Sequence, residues 1–128
     1  MENKNELQRP GPSIGLEVAA ILGLVFHVLM LLSSWRLLPE TIPVHFDFWG
    51  RADRFGDRSE LFLLLALNII SFGALTWLSR HPEKLNLAVK IDPENRGPQF
   101  YLASLFARVL KVEVVWLFAL VSYQVIAT

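Results

Sequence analysis

Cysteine is absent from this chain of 128 residues. Its absence excludes disulfides, thiolate metal sites, cysteine nucleophiles and iron–sulfur clusters. Net charge is absent too, because 12 Lys and Arg balance 12 Asp and Glu, so no basic field indicates a nucleic-acid partner. The sequence also contains no glycine-rich phosphate loop, nucleophile elbow or dinucleotide fingerprint. We therefore expect a protein that is not an enzyme, and we assign it no cofactor, no metal and no catalytic residue.

What the chain has instead is long apolar runs. Hydrophobic residues make up 53% of the sequence and are concentrated in blocks. A transmembrane helix needs about 20 mainly apolar residues, and segments 14–36, 60–79 and 102–126 are candidates. The third segment qualifies only if its helix begins near Leu102, which places Arg108 and Lys111 near its start, where long side chains can reach the membrane interface. The first run is too long for the apolar core of a cleaved signal peptide, so we expect a retained helix.

These segments predict an all-α integral membrane protein with three transmembrane helices. Residues 14–128 are expected to form a single domain after a mobile N-terminal segment at 1–13. A soluble bundle of three helices is the alternative, but the first two blocks lack the polar stripe that such helices show. Of the 12 Lys and Arg, four lie at the end of the first span (Arg36) or in the loop at 37–59, and the other eight lie before the first span, from the end of the second span to the third, or near the start of the third. Since positive residues favour the cytoplasmic side, the N-terminus and the loop at 80–99 are predicted to be cytoplasmic and the loop at 37–59 extracytoplasmic.

The extracytoplasmic loop has a pattern typical of a short strand. From Ile42 to Trp49, apolar and polar or amphipathic side chains alternate. We expect Val44, Phe46 and Phe48 to rest on the helix ends or on the bilayer interface. Gly50 follows, at a position suited to a positive φ angle. The residues from Gly50 to the second span are predicted to form a polar turn region.

Three interpretations of this loop stay open. Its acidic and histidine side chains can ligate a metal or transfer protons, but arginines alternate with the aspartates and neutralise them, and no paired-histidine spacing occurs. The loop can also be a surface segment held by salt bridges, with no ligand. In the third interpretation its aromatic residues recognise a peptide, a lipid or a partner protein. The residues that the metal or acid–base interpretation uses are His45, Asp47, Asp53 and Asp57.

The order of residues in this loop resembles the signature of a known membrane family. The pattern is a Leu-Pro pair, an Ile-Pro pair, a His-Phe pair, a glycine, an aspartate three residues later and a second glycine. In this chain the pattern is Leu38-Pro39, Ile42-Pro43, His45-Phe46, Gly50, Asp53 and Gly56. It is similar to the membrane domain of unknown function 1648, found in SdpI-type immunity proteins and in small bacterial membrane proteins. The binding residues that this resemblance implies are Pro43, His45, Phe46, Gly50, Asp53 and Gly56.

A second motif after the second span resembles the tail of the short, three-span members of that family. Its counterparts here are Asn86, Lys90 and Asn95, although Leu87-Ala88 stands where the family shows Tyr-Pro. The resemblance implies a multi-pass protein of the bacterial plasma membrane. For the immunity branch alone, it implies protection of the cell from a secreted peptide toxin.

Among the polar residues inside the predicted spans, His27 and Asn68 are the candidates for an intramembrane role. A polar side chain at that depth is either a contact between helices or part of a proton or ligand site. We expect His27 to hydrogen-bond to Asn68, to Ser71 or to a backbone carbonyl. The leading hypothesis is a small binding or accessory module in the lipid bilayer, with a peptide or a membrane protein as partner. A structural subunit of a larger transporter or sensory complex is the alternative, and a metal-dependent membrane enzyme is the third class.

Overall fold

The computed structural model describes residues 13–84, 94 and 96–127. Within them the chain forms three α-helices, two short 3-10 turns and one β-hairpin. The helices are α1 (Ser13–Ser34), α2 (Glu60–Arg80) and α3 (Arg96–Ala127), and the strands are β1 (Thr41–Phe46) and β2 (Ala52–Asp57). The 3-10 turns are Trp35–Leu37 and Pro82–Lys84. The prediction of three helices, with an extended segment between the first two, is confirmed.

Two of the helical segments are long and apolar enough to cross a membrane, namely Ile14–Leu37 and Glu60–Arg80. Few of their residues are buried inside the molecule, and large apolar side chains such as Leu29 and Ile70 are more than half exposed. Exposed apolar surface of this extent is typical of a surface that contacts lipid or another protein. α3 is less uniform, because charged residues interrupt its middle. It begins at Arg96, earlier than the start near Leu102 expected from the sequence.

α3 packs against both other helices, whereas α1 and α2 contact each other much less. α1 and α3 run parallel, since Glu17 meets Lys111 and His27 meets Ser122. α2 runs antiparallel to both. The buried residues of α3 recur every three or four positions, as expected for one helix face, and most are small enough to let helices approach closely. They are Ala103, Ser104, Ala107, Lys111, Val115, Ala119, Ser122 and Val125.

The hairpin lies over one end of the bundle. Ile42 of β1 is buried against Leu31, Leu61 and Val125, one residue from each of the three helices. Val44 and Phe46 pack against the same cluster, as predicted from the alternating pattern. Phe48 does not rest on the helix ends, because its side chain is 91% exposed, and its contact with the bilayer interface stays a prediction. β1 ends at Phe46 and the chain turns there. The alternation of side chains along a strand therefore does not determine which way Phe48 faces.

Candidate functional site

The hairpin contains all six candidate binding residues of the first motif. β1 and β2 pair antiparallel, with Ile42 opposite Gly56 and Phe46 opposite Ala52. Two register shifts interrupt the pairing, one on each side of His45. The predicted polar turn after Gly50 is therefore wrong over most of its length, because β2 occupies Ala52–Asp57. Pro43, His45 and Phe46 lie in β1, Asp53 and Gly56 lie in β2, and Gly50 lies in the turn between them.

Asp47 and Gly50 shape that turn. One oxygen of the Asp47 carboxylate accepts the backbone N–H groups of Trp49 and Arg51, both at 2.9 Å. The Gly50 N–H donates to the Asp47 carbonyl at 3.0 Å, and the φ angle of Gly50 is +79°. Glycine adopts this left-handed conformation without the steric cost that a Cβ atom adds. Asp47 therefore has a structural role in the turn, and this role accounts for the residue without a metal ion.

We expect Gly50→Val to destabilise the hairpin by about 1–2 kcal/mol, because a β-branched residue is strained in the left-handed region. Nothing lies within 4 Å of an added Cβ atom, so the effect isolates the backbone strain. Hydrogen exchange of the hairpin amides, read by mass spectrometry, measures it. Gly50→Asn is the matched control and should lose much less protection, because Asn tolerates positive φ. Equal protection in Gly50→Val and wild type would contradict the backbone argument.

His45 and Asp53 form a cross-strand pair. The Nδ1 atom of His45 lies 2.6 Å from Oδ1 of Asp53, and both side chains are substantially exposed. The other two candidate metal ligands, Asp47 and Asp57, do not join this pair. The described residues contain no group of three His, Asp or Glu that is placed to hold a metal ion. The pair can orient the imidazole and join the two strands at the irregular point of their pairing.

The end of the hairpin is tied to the helices by two side chains. Arg58 donates from Nη1 to the carbonyls of Trp35 and Leu38, at 3.2 and 3.1 Å, and its guanidinium lies 4.5 Å from the Trp35 ring centre. Both carbonyls follow the end of α1, where few helical donors remain, although the Trp35 carbonyl also accepts the Leu38 N–H at 3.3 Å. Asp57 accepts the backbone N–H of Ser59 at 2.8 Å, and this bond lowers the pKa of the Asp57 carboxyl. Together the two contacts hold the exit of α1 beside the entrance of α2.

The helix bundle contains a central polar layer formed by His27, Asn68 and Ser122, all fully buried. Asn68 Nδ2 lies 2.8 Å from His27 Nδ1 and 3.2 Å from the Val115 carbonyl. His27 Nε2 lies 2.9 Å from the Ser122 hydroxyl. One side chain from each helix therefore contributes, and the contact between His27 and Asn68 is one of those expected from the sequence.

The Val115 carbonyl determines how this layer is protonated. A carbonyl only accepts, so the Asn68 amide must present its NH₂ group there, and that group also donates to His27 Nδ1. His27 then carries its proton on Nε2 and donates to Ser122. This is the neutral imidazole, which costs far less in an apolar bundle than a charged one. Among the described side chains, Asn68 Oδ1 is the buried polar atom that lacks a hydrogen-bond partner.

A charged layer lies near the start of α1, formed by Glu17, Thr76, Arg108 and Lys111. Lys111 is fully buried, and its Nζ atom donates to both Glu17 carboxylate oxygens at 2.7 and 2.8 Å and to the Thr76 hydroxyl at 3.0 Å. Arg108 lies 3.4 Å from the same carboxylate. The sequence predicts that Lys111 reaches the membrane interface and does not indicate its pairing with Glu17. A basic residue on α3 and an acidic residue in the first turns of α1 were the available signal, but their pairing depends on the parallel arrangement of the two helices.

The second motif lies outside the described residues. This applies to Asn86, Lys90 and Asn95, and also to nearly all of the N-terminal segment at 1–13. The residues that the structure brings together are thus the first motif in the hairpin and, separately, His27 with Asn68 in the bundle.

Comparison with known proteins identifies the part of the chain that contains the hairpin. The sequence profile of DUF1648, a domain of unknown function, matches residues 22–70, from the middle of α1 to the middle of α2. An uncharacterised protein of the archaeon Archaeoglobus fulgidus is 39% identical over 64 residues, which cover 44% of this chain and 35% of that protein. The match thus spans about a third of that relative's length. No solved structure matches the chain. Residues 22–70 are therefore similar to the DUF1648 domain, the family that the motif from Leu38 to Gly56 resembles.

Proposed function

We propose that the chain is a membrane module with three spans whose extracytoplasmic hairpin recognises a partner. The third span is α3. Lys111 is neutralised by Glu17, and the segment from Val112 to Ala127 is about 24 Å long at the usual rise per residue. Its small buried side chains pack between α1 and α2, which supports insertion together with them.

The hairpin tip carries the recognition proposal. Phe48 and Trp49 stack edge to face, with ring centres 5.2 Å apart, and they are 91% and 74% exposed. Asp47 and Gly50 hold the turn below them, so the two rings project from a defined backbone. Rigid aromatic side chains supply large contact area at low entropic cost and are enriched in the centres of protein interfaces. The motif residues build the hairpin, whereas the tip aromatics are left free to contact a partner.

A photo-crosslinking amino acid in place of Phe48 tests this proposal in native membranes. We expect a discrete protein or peptide adduct, and we expect its yield to fall when Trp49→Ser is added. The same crosslinker at Leu63, a 60% exposed residue of α2, is the control for contact with lipid. Adducts identical to those at Leu63 would overturn the recognition role.

The identity of the adduct separates the narrower proposals. A secreted peptide would support a role similar to SdpI-type immunity, which the family resemblance implies. A stoichiometric membrane protein would support the accessory or structural-subunit role. Both are non-catalytic. The pairing of His45 with Asp53 and the use of Asp47 in the turn leave little support for a metal-dependent enzyme.

The orientation is tested by single cysteines, since the chain has none of its own. Ser59 and Lys84 are exposed and flank α2, whereas Ser79 is buried and unsuitable. We propose a plasma-membrane protein of a bacterial cell with a cytoplasmic N-terminus, so an impermeant maleimide should label Ser59→Cys on intact cells and Lys84→Cys only after permeabilisation. If α3 crosses the membrane, Ala127→Cys should be labelled on intact cells, as Ser59→Cys is. Labelling of Ala127→Cys together with Lys84→Cys would overturn the third span.

A further inference from the structure

A polar cavity of about 380 Å³ lies where the end of α2 meets α3. Its walls come from the last turn of α2, from the short turn that follows and from the first turns of α3. Trp77 lies one turn before the end of α2 and stacks on His81, with ring centres 4.6 Å apart. Tryptophan at the end of a span is typical of the interfacial layer of a bilayer. The lining residues are Ser79, Arg80, Pro82, Glu83, Phe100, Tyr101, Ser104 and Arg108.

The charges of this cavity are not balanced. Arg80 and Arg108 face one acid, Glu83, among the lining residues. A hydrogen bond from its own backbone N–H lowers the pKa of Glu83, with a smaller contribution from His81. Glu83 is therefore ionised at neutral pH, and the lining keeps an excess of one positive charge. Arg80 makes no ion pair with any residue in the described part of the chain.

Arg108 is short of acceptors. Its side chain is 17% exposed, and its two contacts are long: Nη1 to Glu17 at 3.4 Å and Nε to the Ser104 hydroxyl at 3.4 Å. Lys111 holds the Glu17 carboxylate at 2.7 and 2.8 Å, so that carboxylate is largely committed. A guanidinium has five N–H donors, and charge-assisted bonds to carboxylate or phosphate are usually shorter than 3 Å. A partly buried arginine with only long contacts beside a cavity is suited to an anion with several oxygens.

We propose that this cavity binds a phosphate group through Arg80 and Arg108, with the Tyr101 hydroxyl as a further donor. An anionic phospholipid and a soluble phosphate ester share this chemistry. The position of the cavity favours the lipid, because basic pockets between helices at the membrane interface accept phosphate head groups. The exposed Leu102 and Phe106 on the same part of α3 provide apolar surface for acyl chains. The lipid source rests on the proposed membrane topology, whereas the phosphate site itself does not.

The test measures lipid retention by the purified full chain. Protein exchanged into nanodiscs of phosphatidylcholine with a minor fraction of phosphatidylglycerol is released into the gas phase for native mass spectrometry. We expect preferential retention of one phosphatidylglycerol. Arg80→Gln and Arg108→Gln should each weaken it about tenfold or more, the usual effect of losing a hydrogen bond to a charged group. Arg36→Gln, the same change of charge at the far end of α1, is the matched control and should retain the lipid.

The two sources separate when inorganic phosphate is titrated against protein that carries phosphatidylglycerol and, in a second sample, against lipid-free protein in detergent. Displacement of phosphatidylglycerol only at high phosphate supports the lipid, whereas Arg80-dependent stabilisation by phosphate with no lipid preference would overturn the lipid source. Equal retention by wild type, Arg80→Gln and Arg108→Gln would overturn the site. Thermal unfolding of both variants checks folding, and Arg80 is exposed, so Arg80→Gln keeps the test valid if Arg108→Gln misfolds. Cysteine labelling tests the membrane topology independently of lipid retention. Failure of the proposed topology can therefore be distinguished from failure of the phosphate site.

Discussion

Glu17→Gln is expected to lower the free energy of unfolding by about 3 kcal/mol, at the lower end of the range for breaking a buried ion pair. Lys111 is fully buried, and its ammonium would keep the Thr76 hydroxyl and the Phe72 ring, 4.8 Å from its Nζ atom, as its remaining close partners. These contacts do not neutralise a charge. Glu17 itself is about one-third exposed, which lets water soften the loss and places the expected value at the lower end.

Thermal and chemical unfolding in a mild detergent measures this effect. Glu113→Gln is the matched control, since Glu113 is exposed and forms no described ion pair; a change within about 0.5 kcal/mol is expected there. The double variant Glu17→Gln with Lys111→Met should recover most of the stability, because replacing both partners of a buried pair by groups of similar shape is often neutral. Equal stability of Glu17→Gln and Glu113→Gln would show that the charged layer does not support the fold.

Gly23→Ala is expected to destabilise the bundle by about 1–3 kcal/mol through overpacking. A Cβ atom at this position would lie 2.9 Å from the indole ring of Trp116 and from Cγ1 of Val115. The indole cannot move away freely, because its Nε1 atom donates to the Ala19 carbonyl at 2.9 Å. The added methyl group must therefore break that hydrogen bond or push α1 and α3 apart.

Gly73→Ala provides the control for helix propensity. Gly73 lies within α2, and nothing lies within 4 Å of an added Cβ atom. The change should be neutral or stabilising by up to about 1 kcal/mol, the preference of a helix for Ala over Gly. The difference between the unfolding free energies of the two variants then reports the packing of Trp116 on α1. A Gly23→Ala variant as stable as Gly73→Ala would contradict that packing.

Local pattern predicted β1 but not β2. The alternation from Ile42 to Phe46 follows from one covered face, and the structure buries Ile42 and packs Val44 and Phe46 as that pattern requires. β2 consists of ADRFGD, in which charged residues and a glycine give no such alternation. Its extended form depends on backbone pairing with β1, which a pattern of side chains does not encode. The same limit explains Phe48, since the turn begins before the alternation ends.

His27 and Asn68 could be identified from the sequence because each lies near the middle of an apolar segment. Their hydrogen-bond partners depend on how the three helices pack. Nothing in the sequence around Ser122 distinguishes it from other serines in helices, yet its hydroxyl completes the central polar layer. Glu17 and Lys111 are separated by most of the chain and meet because α1 and α3 are parallel. Glu17 is visible as a charged residue near the start of α1 and Lys111 as one in the middle of α3, and neither position alone indicates which partner it faces.

The sequence by itself determined that this chain has two helices long and apolar enough to cross a membrane and a third, more polar helix. These properties follow from hydrophobicity and local backbone preference, which depend on neighbouring residues only. The order of residues between the first two helices also carries the family resemblance. The tertiary structure decided that the motif is a hairpin, that the three helices share two polar layers, and that Arg108 has only long contacts beside a cavity. Those properties depend on which side chains meet across helices, and hydrogen bonds and charges in an apolar bundle stabilise the fold only where their partners are brought together.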